Sequence, residues 1–385
     1  MTKPKGIIGV VYGGGHVSSF GAGTLGILKQ AGDRYNVLGF WDGYKGLDDG
    51  RFEPLKEDMI NPDAAGTALG SPRGKVDAGK VSHVIKKLGM CALIVEGGDD
   101  HMGEARRLYE AGVPVVGWPK TMDNDLSGTC FTLGYPTAVD VGSRIVRCAH
   151  TGAITNKKVY AFVLFGRDTD WVTAGVGKWG GADFVVPGEA EYDWRRITEK
   201  MQTVYEENGR KYGKPFAVVA VSEGAKIKGL ESHVRADEVD AHGNTKLDPI
   251  KLALLLKDAA PLNLQKIMIT QPVTYMMRDS PPTVADKKYA DEAGRECVKM
   301  VERGQFGSAA VFHRNDEGFE VSTETLGVVS QKRHVRPEGW IDYENMTVEP
   351  RFGKYMEPLF GTPPEMDEIV FGAFPLLRKV RRKTK

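Results

Sequence analysis

Residues 90–112 read MCALIVEGGDDHMGEARRLYEAG. An apolar run from Met90 to Val95 leads into Gly97, Gly98, Asp99 and Asp100, and then the periodicity changes. Ala105, Leu108 and Tyr109 recur on one side of a helix, and Gly112 supplies its stop. An apolar run this short suits a strand buried on both faces. Strand, glycine turn and helix in that order make half of a βαβ unit.

The same grammar recurs along the chain. GIIGVVY (6–12) runs into Gly13-Gly14-Gly15, YNVLGF (35–40) into a turn, and VPVVGW (113–118) into PKTMDND (119–125). KVYAFVLFGRD (158–168), DFVVPGE (183–189), PFAVVAVSEG (215–224) and QKIMITQP (265–272) follow suit. Between them, residues 136–152 place Ala138, Val141, Ile145 and Cys148 at helical spacing, and residues 284–304 form an amphipathic pattern ending at Gly304. The alternation predicts an α/β fold with mostly parallel sheets. Ligands of such sheets gather at the carboxyl ends of the strands. Gly13, Asp99, Asp123, Arg167 and Glu223 each follow an apolar run, which predicts one shared crevice. Residues 330–385 are rich in Pro, Arg and Glu with weak periodicity and read as an irregular extension packed on the body.

Composition narrows the function classes. The chain has 385 residues, with 52 Lys+Arg against 51 Asp+Glu. That balance argues against nucleic acid or an anionic membrane as the main partner. The four cysteines form no CxxC pair, and Cys91 and Cys148 stand in apolar contexts, so buried free thiols in a reducing compartment are expected. No run approaches the length of a membrane span, and the N-terminal stretch reads as a strand, not a signal peptide. These features predict a cytoplasmic protein. The basic LLRKVRRKTK (376–385) reads as a solvated tail.

Four carboxylates fall in two short segments: Asp99 and Asp100, then Asp123 and Asp125 around Asn124. In an extended course after Pro119, Asp123 and Asp125 point to one side and serve one reacting group, one as a base and one as support. The alternative is an Asx-rich turn capping its own backbone. For Gly97–Asp100, glycines and helix-start amides suit a phosphate, with a divalent cation bridging it to a carboxylate; the alternative is a turn with an acidic helix cap. His101 reads as a helix-start residue with no ligand role. Lys120, Arg167 and Arg278 suit phosphate oxygens only as a set. GVVYGGG hints at a dinucleotide site but lacks the GxGxxG spacing.

The set in order, GFWDGYKGL (39–47), GTALGSPR (66–73), GGDD (97–100), PKTMDND (119–125), FGR (165–167), SEG (222–224) and TYMMR (274–278), resembles the 6-phosphofructokinase family from about residue 6 to about residue 310. The resemblance implies two Rossmann-like three-layer domains with the active site in the cleft between them. Residues 1–138, with 279–330 returning, would bind the phosphate donor and magnesium. Residues 139–278 would bind the sugar phosphate, and 331–385 would be the extension. It implies Mg²⁺-dependent phosphoryl transfer to the 1-hydroxyl of fructose 6-phosphate. Asp123 would be the base, Asp125 its support, and Asp99 the magnesium ligand. Thr121, Met122, Lys158, Phe165, Gly166, Arg167, Glu223, Tyr275 and Arg278 would bind the sugar phosphate, with Arg167 also in the catalytic set. Lys158 falls where the family uses a basic residue of a neighbouring subunit, which implies a homodimer or homotetramer.

The donor follows from two positions. The ATP-using branch carries glycine at the positions of Asp100 and Lys120, and the pyrophosphate-using branch carries Asp and Lys. Two like charges 4 Å apart cost roughly 4 kcal/mol at an effective dielectric of 20, on the order of a thousandfold in affinity. Asp100 would therefore exclude an α-phosphate, while pyrophosphate ends before that spot. Gly13, Gly14, Arg73 and Lys120 would hold the pyrophosphate. The loop GGGHVSSFGAG departs from the family's Pro-Gly and Asn pattern after the first glycines. An ATP-dependent enzyme and a non-catalytic sugar-phosphate-binding subunit are the alternative readings.

Overall fold

A computed structural model describes residues 6–239, 243 and 245–381. The chain forms two compact units. The first takes in residues 6–137, Gly243 and 278–333; the second takes in 138–239, 245–277 and 334–381.

The first unit is built on an eight-stranded sheet. Its strands include β1 (Gly6–Tyr12), β2 (Tyr35–Phe40), β3 (Phe52–Pro54), β4 (Met90–Gly97), β5 (Val115–Thr121) and the short β6 (Leu133–Gly134). The order runs from strand Gly318–Thr325 through Ser308–Asn315, β5, β4, β1 and β2 to β3, with β6 pairing on β5. β2, β1, β4 and β5 are mutually parallel, which the buried apolar runs demand. Both edges turn antiparallel: β3 against β2, and Gly318–Thr325 against Ser308–Asn315. The second of these was not legible beforehand, because its charged, alternating residues lack the continuous apolar signal of the central strands.

Helices cover both faces. Val11, Leu93, Val95 and Val115 face α2 (Gly43–Asp49), α3 (Ala78–Leu88) and α4 (Asp99–Glu110). The alternate residues, among them Tyr12 and Trp118, face α1 (Phe20–Ala31) and helix Val284–Glu302. Trp118 lies so close to α1 that a Cβ at Gly23 would sit 1.4 Å from its ring.

The second unit carries a parallel sheet ordered Met268–Val273, β7 (Val159–Leu164), Ala217–Ser222, β8 (Phe184–Val186). The segment after residue 333 is more ordered than its weak periodicity suggests. A small hairpin pairs Ile341–Asp342 with Thr347–Val348, and helices Pro350–Phe360 and Met366–Ala373 follow. Aromatic packing holds it in place of an apolar stripe: Trp340 stacks on Tyr355 at 5.0 Å, and Trp179 Nε1 donates to Gly361 O at 2.9 Å.

Three expectations fail. α5 (Tyr135–Asn156) buries Val139, Val146, His150 and Ala153, and Cys148 is exposed. Of the expected Ala138–Val141–Ile145–Cys148 stripe only Ala138 is buried; beyond it the buried side is offset, with small and polar residues (Gly142, Ser143) on the contact side. Of the four free cysteines, only Cys297 is buried. On α4, Ala105 and Leu108 are buried but Tyr109 is half-exposed. No helix among the described residues is long and apolar enough to cross a membrane.

Candidate active site

In the first unit, the carboxyl ends of β1, β4 and β5 lie side by side, since Tyr12 pairs with Glu96 and Gly97 with Pro119. The glycine loop after β1, the start of α4 and the segment after β5 therefore meet. Gly13 N donates to Glu96 O at 2.9 Å, and Gly14 N reaches Pro72 O at 3.4 Å. Gly14 has φ +80°, open to glycine and strained for other residues. Gly13 is required for a different reason: its Cβ would fall on the ring of His101. His101 is buried and stacks on Tyr44.

Gly98 caps α4 and the two aspartates occupy its first turn, where carboxylates complement the helix dipole. Neither aspartate is the capping side chain. Lys120 is 1% exposed, the reverse of what an isolated lysine predicts. Its ammonium donates to Gly13 O at 2.8 Å and Gly15 O at 2.6 Å, and lies 5.0 Å from the centre of the Phe20 ring. Burial lowers its pKa to about 7; Glu96 and Asp123 oppose that shift, while Arg278 and Arg73 add to it.

The segment after β5 is not extended. The strand ends at Thr121, a turn follows, and Asn124 takes a left-handed conformation at φ +55°. The cause is local hydrogen bonding: Asn124 Oδ1 accepts from Thr132 N at 2.8 Å, and Thr121 Oγ1 accepts from Asp123 N at 3.2 Å. The two carboxylates still share one environment. Burial, then the charges of Asp123 and Asp99, holds the Asp125 carboxyl well above the usual carboxylate range. Asp125 Oδ1 is buried with no hydrogen-bond partner among the described residues. Arg278 Nε lies 3.4 Å from Met122 Sδ, and its guanidinium covers Gly15.

In the second unit, Leu164 and Ser222 are paired neighbours, so FGR and SEG leave adjacent strands. Ser222 Oγ donates to Gly166 O at 2.7 Å, and Glu223 N donates to Leu164 O at 2.8 Å. Gly166 has φ +139°, which lets the chain turn Arg167 out of the strand. Arg167 Nε lies 3.4 Å from Asp168 Oδ2. The Phe165 and Tyr275 rings meet edge to face at 5.5 Å, and Tyr275 is exposed. Lys158 Nζ reaches Lys266 O at 3.4 Å, at the opposite end of β7 from FGR.

The Phosphofructokinase family matches residues 7–301. The chain belongs to the phosphofructokinase family. Its relatives include an ATP-dependent 6-phosphofructokinase 2 of Streptomyces coelicolor, 31% identical over 80% of this chain and 91% of the relative. A pyrophosphate--fructose 6-phosphate 1-phosphotransferase of Amycolatopsis mediterranei is 30% identical over 78% of this chain and 88% of the relative. Overall identity thus does not choose the donor. Among solved structures, a pyrophosphate-dependent phosphofructokinase of Nitrosospira multiformis superposes with a TM-score of 0.76 at 17% identity, covering 94% of this chain and 93% of that one. The mixed α/β architecture with mainly parallel sheets is the phosphofructokinase fold.

Two residues of this phosphofructokinase escaped the sequence reading. Lys332 Nζ lies 3.6 Å from Asp99 Oδ2, and Arg333 N donates to Asp125 O at 2.6 Å. Both come from a segment some two hundred residues away, docked by the bridge between Leu126 and Lys332, and no local motif announces it. Glu96 was hidden by its own strand: it ends an apolar run where a buried charge is not expected.

Proposed function

We propose that this phosphofructokinase transfers a phosphoryl group reversibly from pyrophosphate to the 1-hydroxyl of fructose 6-phosphate, yielding fructose 1,6-bisphosphate and phosphate, in glycolysis or gluconeogenesis. The observation that carries the donor assignment is the buried Lys120 ammonium, bound to the carbonyls of Gly13 and Gly15 beneath the glycine loop. A point charge fixed there suits the terminal phosphate of a short donor. Asp100, in the first turn of α4, sets a negative charge against any longer one.

Gly13, Gly14, Arg73 and Lys120 hold the pyrophosphate. Asp123 takes the proton of the acceptor hydroxyl, and Asp125 supports it. Thr121, Met122, Phe165, Gly166, Arg167, Glu223, Tyr275 and Arg278 bind the sugar phosphate. Lys158 acts on the sugar phosphate of a neighbouring subunit in a homodimer or homotetramer. The carboxylates fit a hard divalent cation: the charges of Asp123 and Asp99 add to the cost of ionising Asp125, and Asp125 Oδ1 has no hydrogen-bond partner among the described residues. Asp99 would hold Mg²⁺, which neutralises charge on the transferring phosphates when bound. The chain's own contribution is positioning and electrostatic stabilisation.

A donor swap tests this reading: purified protein, fructose 6-phosphate and Mg²⁺ with either pyrophosphate or ATP. Turnover with pyrophosphate and little with ATP is expected. Turnover with ATP alone would overturn the donor, and none with either would favour a regulatory subunit.

A further inference from the structure

Strand register sets Glu96 on β4 opposite Tyr12 on β1 and Trp118 on β5. Lys120 lies two residues beyond Trp118 and so shares that face. α1 and helix Val284–Glu302 seal it, leaving Glu96 at 0% and Lys120 at 1% exposure. The Glu96 carboxyl accepts one long hydrogen bond, from Ser19 Oγ at 3.4 Å, and its Oε2 has no hydrogen-bond partner among the described residues. A buried carboxyl with so few donors is costly unless it faces a cation. The Lys120 ammonium, for its part, donates to two neutral carbonyls, which orient it without balancing its charge. Gly13 ties the two residues: its amide binds Glu96 O and its carbonyl binds Lys120 Nζ.

We propose that Glu96 is a positioning residue for Lys120, a buried counter-charge that keeps the ammonium protonated while it holds the donor phosphate. The inference rests on Lys120 as a donor-binding cation. Other groups whose charges bear on the pair are Arg73, Asp123 and Arg278 around Lys120, and the Tyr12 hydroxyl and Cys297 thiol beside Glu96. Arg73 and Arg278 act against the ammonium, and Glu96 is the largest opposing influence; burial holds the Glu96 carboxyl itself well above the usual carboxylate range, and the Lys120 charge is the largest influence drawing it down.

The test is Glu96→Gln in the full chain, with KM for each substrate measured from pH 6 to pH 9 and both pyrophosphate and ATP offered. KM for the donor should rise about tenfold or more at pH 8, with KM for fructose 6-phosphate within about twofold. The deficit should shrink toward pH 6, where protons are plentiful enough to charge Lys120 unaided. In a Lys120→Gln background, Glu96→Gln should add no further rise. A wild-type pH profile, a deficit equal at every pH, or additive losses would each overturn the proposal. If ATP alone supports turnover, the pyrophosphate reading falls, and the KM for ATP carries the same test. Should Glu96→Gln not fold, thermal melts of Glu96→Leu and Glu96→Leu/Lys120→Met decide. The double variant must melt higher than the single one, since removing both charges leaves neither buried alone; an equal or lower melt refutes the pairing.

Discussion

The imidazole of His101 lies flat on the ring of Tyr44, with centroids 5.1 Å apart and planes 4° from parallel. The Tyr44 hydroxyl also donates to His101 O at 3.0 Å, so ring and backbone are clamped together. The clamp fills the space above the glycine loop: a Cβ on Gly13 would stand 1.7 Å from His101 Cδ2. Gly13→Ala should therefore destabilise the chain by about 1–3 kcal/mol, the usual cost of overpacking. It should also raise the KM for the phosphate donor, because the Gly13 carbonyl that holds Lys120 must move. Adding His101→Ala should recover part of the stability. Denaturant melts of the single and double variants check both statements.

What was legible in the sequence follows from what each signal depends on. The strands β1, β4 and β5 and the motifs at their ends were readable because a buried parallel strand is a continuous apolar run and its end is a change of chemistry. The course of residues 121–125 was not, because it is set by Thr132, which binds Asn124 from outside the motif. The burial of Lys120 was equally hidden. A lysine is read as solvated, and only the packing of Phe20 and the carbonyls of Gly13 and Gly15 makes a cavity for it. Lys332 was out of reach for the same reason: its contact with Asp99 depends on chain return, not on spacing.

The pH dependence of stability should carry the mark of Lys120. Burial lowers its folded pKa to about 7 from the ordinary 10.5. Between those values the unfolded chain holds a proton that the folded chain does not, so stability rises with pH across that window. Below about 7 both states are charged, and the cost of burying the ammonium is fully present. Lys120→Met lacks this titration. The denaturant midpoint of the wild type should gain on that of Lys120→Met between pH 7 and pH 10; parallel curves would show that Lys120 titrates near its ordinary value. Donor binding runs the other way, since it needs the ammonium, and KM for pyrophosphate should climb above pH 7.

As the proposed base, Asp123 should separate turnover from binding. Its amide is pinned by Thr121 Oγ1 at 3.2 Å, so a neighbour holds the backbone of the turn. Replacing the Asp123 carboxylate should leave the turn intact. Asp123→Ala should lower kcat by about 10²–10⁴-fold, the range for loss of a general base. KM for pyrophosphate should stay within a few-fold, and circular dichroism should match the wild type. Near-normal kcat would remove Asp123 from the role of base.

The proposed exclusion of longer donors rests on Asp100, whose place in the fold makes the test clean. It stands in the first turn of α4, after the Gly98 cap. Asp100→Gly therefore removes bulk and charge at a helix-propensity cost of only about 0.3 kcal/mol. If the carboxylate repels an α-phosphate, kcat/KM for ATP should rise by about 10²–10³-fold, the affinity equivalent of roughly 3–4 kcal/mol of repulsion. Turnover with pyrophosphate should fall much less, because Lys120 still anchors that donor through its contacts with Gly13 and Gly15. An Asp100→Asn variant divides the two contributions. It keeps the bulk and removes the charge, so ATP use close to that of Asp100→Gly points to electrostatics, and ATP use close to that of the wild type points to steric exclusion.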